Sequence, residues 1–410
     1  MSVRHSIPAG VAGALSAEGG CVPFARFMEL ALTYPGEGYY SRGRFTLGRQ
    51  GDFTTAPHRT KMFGRTLGRF LVESARSLLN SGETARVEVV EMGGGEGDLA
   101  VSLAAALSEQ PASFLSAVSL RVEDVADHLT EENRSVLLGA RRRGLTLALP
   151  EEPGCLAAVS PPAARSGDDS LESRPVRITV SNELVDALPV HIVDVRGAAV
   201  LERYTCLRRP PSAPAYLEDE WRPPSAAALS ELWQLFGSDD PARLRLHTRD
   251  GILELRPAAE AYLGCALGAG ARGLVVTIDY GEWLDGPGGQ AGPEALGVPS
   301  SAVSHGSSLR CYFRHLKNTD PYVRVGEQDI TADVDFRGLA LHGERLGLEG
   351  MLFTSLADFL RGMGVEEEAR ELCARAQESL DLDVEASTVA RLLDESDVGG
   401  LFKVLVQATD

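Results

Sequence analysis

Val90-Glu91-Met92-Gly93-Gly94-Gly95-Glu96-Gly97-Asp98 joins a short β-type run, Val87-Glu88-Val89-Val90, to a helical pattern over residues 98–108. A glycine-rich turn between a strand and a helix is where an open α/β sheet binds its ligand, at the carboxyl ends of its strands. Glycine permits the tight turn and lets the backbone come close to a ligand. The spacing here is E-x-G-x-G-x-G, carried by Glu91, Gly93, Gly95 and Gly97. A dinucleotide fingerprint, G-x-G-x-x-G, counted from Gly93 needs its third glycine at position 98, where Asp98 stands. An acid at the strand end repels a pyrophosphate and suits a ligand with a cationic amino group. S-adenosyl-L-methionine carries an ammonium and a sulfonium and no phosphate, so these residues point to it as cofactor. Glu123 ends the next β-type run (118–122), 26 residues after Gly97, where an acid can hold both ribose hydroxyls. Asp124 beside it is the substitute. A tight structural turn with an incidental acid is the plainer explanation, and the strand, acid, glycine spacing and second acid together outweigh it.

The pattern outward from this turn alternates strands with helices, which argues for a mostly parallel sheet. Further β-type runs fall at 176–181 and 273–279, a hairpin pattern at 190–206 around Arg196-Gly197, and a closing strand at 401–406. Helical spacing occupies 22–34, 60–79, the stretch up to about 140, 257–269 and 355–395. Residues 150–175, 208–227 and 281–308 are loops by composition, the last long enough for an active-site lid. The expected organisation is α/β: a helical N-terminal cap over 1–85, a doubly wound, mostly parallel Rossmann-like core over 86–282 with insertions, and a lid loop, accessory helices and closing strand over 283–410.

Composition narrows the function classes. Apolar residues make up 44%, enough for a sizeable core. The formal net charge is −18, without the basic footprint of a nucleic-acid binder. An acidic surface favours cationic partners, though acids also simply keep a protein in solution. The chain has three lysines, Lys61, Lys317 and Lys403, so its positive charge is nearly all arginine. Six cysteines lie far apart, with no C-x-x-C pair and no small-domain disulfide spacing. A reduced cytoplasmic setting is the simplest expectation. No uninterrupted apolar stretch suggests a membrane span. The oligomeric state is not legible. No metal-ligand spacing appears, and G-x-x-x-x-G-K-[ST], H-E-x-x-H and G-x-S-x-G are all missing.

Ser181-Asn182-Glu183-Leu184-Val185-Asp186-Ala187-Leu188-Pro189 follows the β-type run at 176–181. In this sheet type that segment borders the transferable methyl. Glu183 and Asp186 are three apart and would share a face of one helical turn. Paired carboxylates clamp a guanidinium through fork-like hydrogen bonds, and one of them can orient the nitrogen or accept its proton. Asn182 and Asp186 alternatively cap a helix start. Both readings stay open, with Glu183, Asp186 and Asn182 as the candidate catalytic set.

The chain resembles the MidA-type methyltransferase family, which includes mitochondrial complex I assembly methyltransferases and many bacterial proteins. The resemblance rests on Phe27-Met28-Glu29-Leu30-Ala31-Leu32, Gly38-Tyr39-Tyr40, Gly51-Asp52-Phe53-Thr54-Thr55-Ala56-Pro57 and Met62-Phe63-Gly64. It continues through the glycine loop, Asn182-Glu183 to Pro189, Ile278-Asp279-Tyr280-Gly281, Asp329-Ile330-Thr331-Ala332 with Val334-Asp335-Phe336, and Leu401-Phe402-Lys403-Val404. It implies a Rossmann-like class I methyltransferase core with S-adenosyl-L-methionine as donor, and in the mitochondrial branch arginine methylation of a protein. On this pattern Thr55 joins the cofactor side, and His58, Pro189, Asp279 and Tyr280 the substrate side. The sequence departs from the family where His58 follows Pro57 in place of a glutamate, and at Gly94 and Glu96. The acceptor therefore stays open between a cationic protein nitrogen and a small molecule methylated on nitrogen or oxygen. A binding or assembly module with a vestigial cofactor site is the non-enzymatic alternative.

Overall fold

The computed structural model describes residues 6–42, 60–81, 86–150, 176–248, 250–268, 272–284, 307–375 and 380–409. Thr55, His58 and the rest of the 51–57 motif, with most of the 150–175 and 281–308 stretches, lie outside them.

Eight strands make the central sheet: β1 (Val87–Met92), β2 (Val118–Glu123), β3 (Thr146–Ala148), β4 (Val176–Asn182), β5 (Gly273–Glu282), β6 (Glu349–Ser355) and β7 (Phe402–Ala408), with the two-residue strand Val334–Asp335 pairing off this row in parallel with the end of β5. Their spatial order is β3-β2-β1-β4-β5-β7-β6. Every pairing from β3 to β5 is parallel, and β7 runs antiparallel to both neighbours. Chain order reverses direction between β1 and β4. That switch point leaves a crevice beyond their carboxyl ends, where such sheets take ligands.

Helices cover both faces, as a doubly wound sheet requires. We label α1 (Phe24–Thr33), α2 (Lys61–Asn80), α3 (Asp98–Ser108), α4 (Glu131–Arg142), α5 (Ala258–Leu267) and α6 (Phe336–Arg345). Alternation along β1 sends Val89 toward Leu67, Leu71 and Leu103 of α2 and α3. It sends Val90 and Met92 the other way, toward Tyr262, Leu263 and Leu339 of α5 and α6. Gly64 lets α2 approach α3 closely: a Cβ there would stand 2.4 Å from Ser102 Cβ. α4 is capped by Thr130, which accepts from the Asn133 N–H at 3.1 Å. Glu131 and Glu132 in its first turn and Arg141 and Arg142 in its last complement the helix dipole.

Two smaller antiparallel sheets complete the fold. One holds Cys21–Pro23, His191–Asp194, Leu201–Arg208, Tyr216–Arg222 and Ile252–Leu255; the other holds Arg310–Phe313, Leu316–Asn318 and Asp329–Thr331. Helix α1 shares one apolar cluster with both, through Phe24, Phe27 and Met28 against Ile192, Leu217 and Ile330.

The structure differs from the sequence reading in three places. The closing strand sits between β5 and β6, and the edge is taken by β6, whose exposed start, Glu349 to Met351, hides the pattern. The 208–227 stretch contains a strand, Tyr216–Arg222, flanked by the prolines that mark the region as loop. Cys21 and Cys206, 185 residues apart, face each other across an antiparallel pair and are joined as a disulfide. Strand register brings them together, and sequence spacing carries no trace of it.

Candidate functional site

The glycine loop leaves β1 at the switch point. Gly93, Gly95 and Gly97 all have positive φ, at 77°, 50° and 96°. At Gly95 a side chain would strain the backbone, which is the physical content of the spacing. The loop is tied down through its backbone. Gly93 N–H and Gly94 N–H donate to the Glu123 carbonyl, at 2.8 and 3.3 Å, and Gly97 N–H to the Gly94 carbonyl at 2.9 Å. Helix α3 then begins at Gly97 without a side-chain cap.

Glu91 is 3% exposed, and its Oε2 is buried with no hydrogen-bond partner among the described residues. Burial pushes this carboxyl well above its usual range, and Asp124 and Asp98 nearby push it further. An orphaned acid beside a glycine cradle fits a ligand bringing its own cation, such as the donor's ammonium. The two acids after β2 have separate roles. Asp124 accepts from Gly95 N–H at 2.8 Å and Val125 N–H at 2.6 Å, so both its oxygens serve the backbone. It supports the loop, while Glu123 ends β2 opposite Met92.

The second constellation lies next door, because β1 and β4 pair with Met92 opposite Ser181. Leu184 packs toward Gly93, so the two loops touch. The segment is not the helical turn that the three-residue spacing suggests. Glu183 has φ 54°, left-handed for a non-glycine residue, and the following turn is a single 3-10 turn, Val185–Ala187. Such a residue costs on the order of 1–3 kcal/mol and persists only where its surroundings hold it. Here Glu183 N–H donates to the Ile278 carbonyl at 3.0 Å, and Ala332 N–H to the Asp186 carbonyl at 3.0 Å.

Asp186 is 4% exposed. Its Oδ2 accepts from the Tyr280 hydroxyl, and its Oδ1 is buried without a hydrogen-bond partner among the described residues. Burial pushes this carboxyl up to about 6, against the pull of the Tyr280 hydrogen bond and the Arg256 charge. Burial, with the Asp186 and Asp279 charges, keeps the Tyr280 hydroxyl protonated well beyond its usual range. Asn182 Nδ2 donates to Glu183 Oε1 at 3.2 Å, while its own Oδ1 is buried and finds no hydrogen-bond partner among the described residues.

Glu183, Asp186 and Tyr280 line a cleft of about 870 Å³. Its walls include residues the sequence left without a role: Tyr40, Arg310, Tyr312, Asp329 and Asp333. Tyr40 donates to Asp329 Oδ1 at 2.8 Å, and its carbonyl meets His128 Nε2 at 2.7 Å, tying the N-terminal segment to the donor side. Arg310 pairs with Asp333, its Nη2 at 3.2 Å from Oδ2, and lies 5.5 Å from the Tyr280 ring centre. The signal was available: Tyr40, Asp329 and Asp333 sit in or beside stretches that carry the family resemblance. Two expected substrate-side residues are not in the cleft wall. Pro189 lies past the turn, leading into His191–Asp194, and Asp279 is 0% exposed with its carboxylate turned to backbone N–H groups.

Residues 66–354 match a protein-family model described as "Putative S-adenosyl-L-methionine-dependent methyltransferase". The chain is 26% identical over 408 residues to the protein arginine methyltransferase NDUFAF7 homolog, mitochondrial, of Drosophila melanogaster, across 94% of this chain and 81% of that protein. The Caenorhabditis elegans protein of the same name is 26% identical over 370 residues, covering 86% and 75%. A crystal structure from Burkholderia thailandensis with bound S-adenosyl-homocysteine superposes with a TM-score of 0.69 at 28% identity, covering 98% of this chain and 91% of that one.

Two measurements test the donor half. Gly95→Val should abolish calorimetric binding of S-adenosyl-L-methionine, because a β-branched residue is strongly disfavoured at φ 50°. Retained affinity would remove the loop from the site. A cation beside Glu91 favours the carboxylate, so binding should release a proton wherever the raised pKa leaves the free carboxyl protonated. In a series of pH values the observed enthalpy should then vary with the buffer's ionisation enthalpy, most strongly at the acidic end. Glu91→Gln should erase that variation and weaken binding about tenfold or more. Equal enthalpies in two buffers would separate Glu91 from the ammonium.

Proposed function

The chain belongs to this family of S-adenosyl-L-methionine-dependent methyltransferases, and from that premise we propose that it methylates an arginine-type nitrogen of a protein. The observation carrying this reading is the pair of carboxylates, Glu183 and Asp186, at the end of β4 in a cleft beside the glycine loop. Two acids backed by phenols suit a planar cation, which they can hold through charge-assisted hydrogen bonds and ring faces. The names of the Drosophila and Caenorhabditis relatives agree with it, and a net charge of −18 draws a cationic partner toward the molecule.

Bound S-adenosyl-L-methionine supplies an electrophilic methyl on a sulfonium. The rest falls to side chains. Above about pH 6 Asp186 is ionised, and its Oδ1 accepts an N–H of the acceptor, turning the nitrogen's lone pair toward the donor. Tyr280, donating to Oδ2, fixes the carboxylate in that orientation. As the N–C bond forms and the S–C bond breaks, the nitrogen sheds a proton that Asp186 takes and passes to solvent through the cleft. Glu183 holds the positive charge of the guanidinium during transfer.

Incubation of the enzyme with methyl-labelled donor and cell lysate, split at a small size cut-off, tests the acceptor. Label should enter the macromolecular fraction and emerge from acid hydrolysis as methylated arginine; label confined to small molecules would overturn the reading. Asp186 also predicts a pH profile. Its carboxylate is lost as pH falls through about 6, so the rate should drop about tenfold per unit below that point. Asp186→Asn should keep donor affinity within about twofold, lose on the order of 100-fold or more in turnover, and flatten the acid limb. An unaltered limb in that variant would assign the titration elsewhere.

A further inference from the structure

We infer that Asp279 is a positioning residue, whose buried carboxylate holds the Glu183–Ala187 segment in the conformation that presents Asp186 to the acceptor. Three acids converge where β4 and β5 end: Glu183, Asp186 and Asp279. Only the first two are in the cleft wall. Asp279 Oδ2 accepts from Val185 N–H at 2.9 Å and Asp186 N–H at 3.1 Å, and Oδ1 accepts from Tyr280 N–H at 2.9 Å. One carboxylate thus grips the backbone of Asp186 and of Tyr280, the two residues whose side chains bond to each other in the cleft.

The segment needs this grip. Glu183 is held left-handed, and a 3-10 turn three residues long has no helix behind it to supply acceptors. Without Asp279 two buried N–H groups would lack partners, and the segment would relax toward a conformation that relieves Glu183. Parallel register makes the reach possible, since Ile278 lies opposite Asn182, leaving Asp279 level with the start of the turn. Arg256, also buried, brings a positive charge that acts on Asp279, Asp186 and Asp333, and its Nη2 donates to the Ala332 carbonyl at 2.9 Å. The same carbonyl's residue returns an N–H to Asp186. The turn is therefore clamped from both sides, and a carboxylate, with two oxygens and no hydrogen, is the side chain that can serve three donors.

The inference rests on Asp186 facing the acceptor and not on that acceptor being arginine. Its test uses the full chain with Asp279→Ala and the isosteric Asp279→Asn, which keeps one acceptor oxygen for the turn. In Asp279→Ala, amide hydrogen exchange over residues 183–188 should rise about tenfold or more while residues 93–97 keep their protection. Donor affinity should stay within about twofold, and methyl transfer to labelled lysate at saturating donor should fall on the order of 100-fold. Asp279→Asn should recover at least about tenfold of that loss, because one acceptor oxygen remains for the turn. Unchanged exchange at 183–188 in Asp279→Ala would overturn the assignment, as would full activity in that variant. Loss of donor binding together with exposure of the glycine loop would also overturn it, by making Asp279 a general structural residue. If no lysate component accepts methyl even from the wild type, the acceptor reading fails, and the exchange measurement still decides the role of Asp279.

Discussion

Parallel pairing of Val87–Met92 with Val176–Asn182 is the constraint on which the site depends. Their chain connections leave in opposite directions, so no crossover covers their carboxyl ends, and both must be followed by irregular backbone. The glycine loop and the Asn182–Pro189 segment are those two stretches. They follow adjacent strands and meet where Leu184 lies against Gly93. Tyr262 supports the neighbouring part of the sheet, its hydroxyl meeting Ser181 Oγ at 2.7 Å and Thr277 Oγ1 at 3.0 Å. The crevice is open above and rigid below.

Electrostatics follows from that geometry. Glu91, Asp124, Asp186 and Asp279 are all buried at one end of the sheet, and burial raises the pKa of each. A site built for phosphate would place backbone N–H groups and cations there. Here the N–H groups at Gly95, Val185 and Asp186 are taken up by aspartates, and the accumulated acid is left for ligands that arrive positive. A sulfonium donor with its ammonium, and a guanidinium acceptor, both relieve this charge, whereas two neutral ligands would leave it uncompensated. Arg256 is the protein's own contribution, and it answers for the acids nearest the turn.

The donor half was legible because it is continuous: one strand, one loop, one helix and the end of the next strand, all between Val87 and Asp124. Spacing alone could distinguish its ligand class. The acceptor half was legible only in outline. The Glu183 and Asp186 spacing reads as a helical face, but Glu183 in left-handed conformation breaks the period on which that reading depends. Asp279 lies within a buried strand next to Tyr280, and sequence cannot say which of two neighbours in a strand turns inward; Tyr280 lines the cleft and Asp279 turns to the backbone. Tyr40, Asp329 and Asp333 come from segments far apart in the chain, joined by contacts such as Tyr40 to Asp329 across 289 positions. The disulfide between Cys21 and Cys206 was invisible for the same reason.

This difference in construction bears on how such an enzyme diverges. Donor residues support one another within a single strand-turn-helix unit, so a substitution there disturbs the fold of the loop and the affinity together, as the positive φ at Gly95 illustrates. The acceptor cleft is assembled from an N-terminal segment at Tyr40, the turn after β4, the small sheet at Arg310 to Asp333, and the C-terminal residues leading into β7. The walls are anchored in two separate units, α1 with the small sheets in one apolar cluster and β7 within the central sheet. The buried clamp formed by Asp279 and Arg256 stands outside that variable surface and holds Asp186 fixed relative to the donor. A protein made this way can alter what it methylates while keeping where the methyl is transferred.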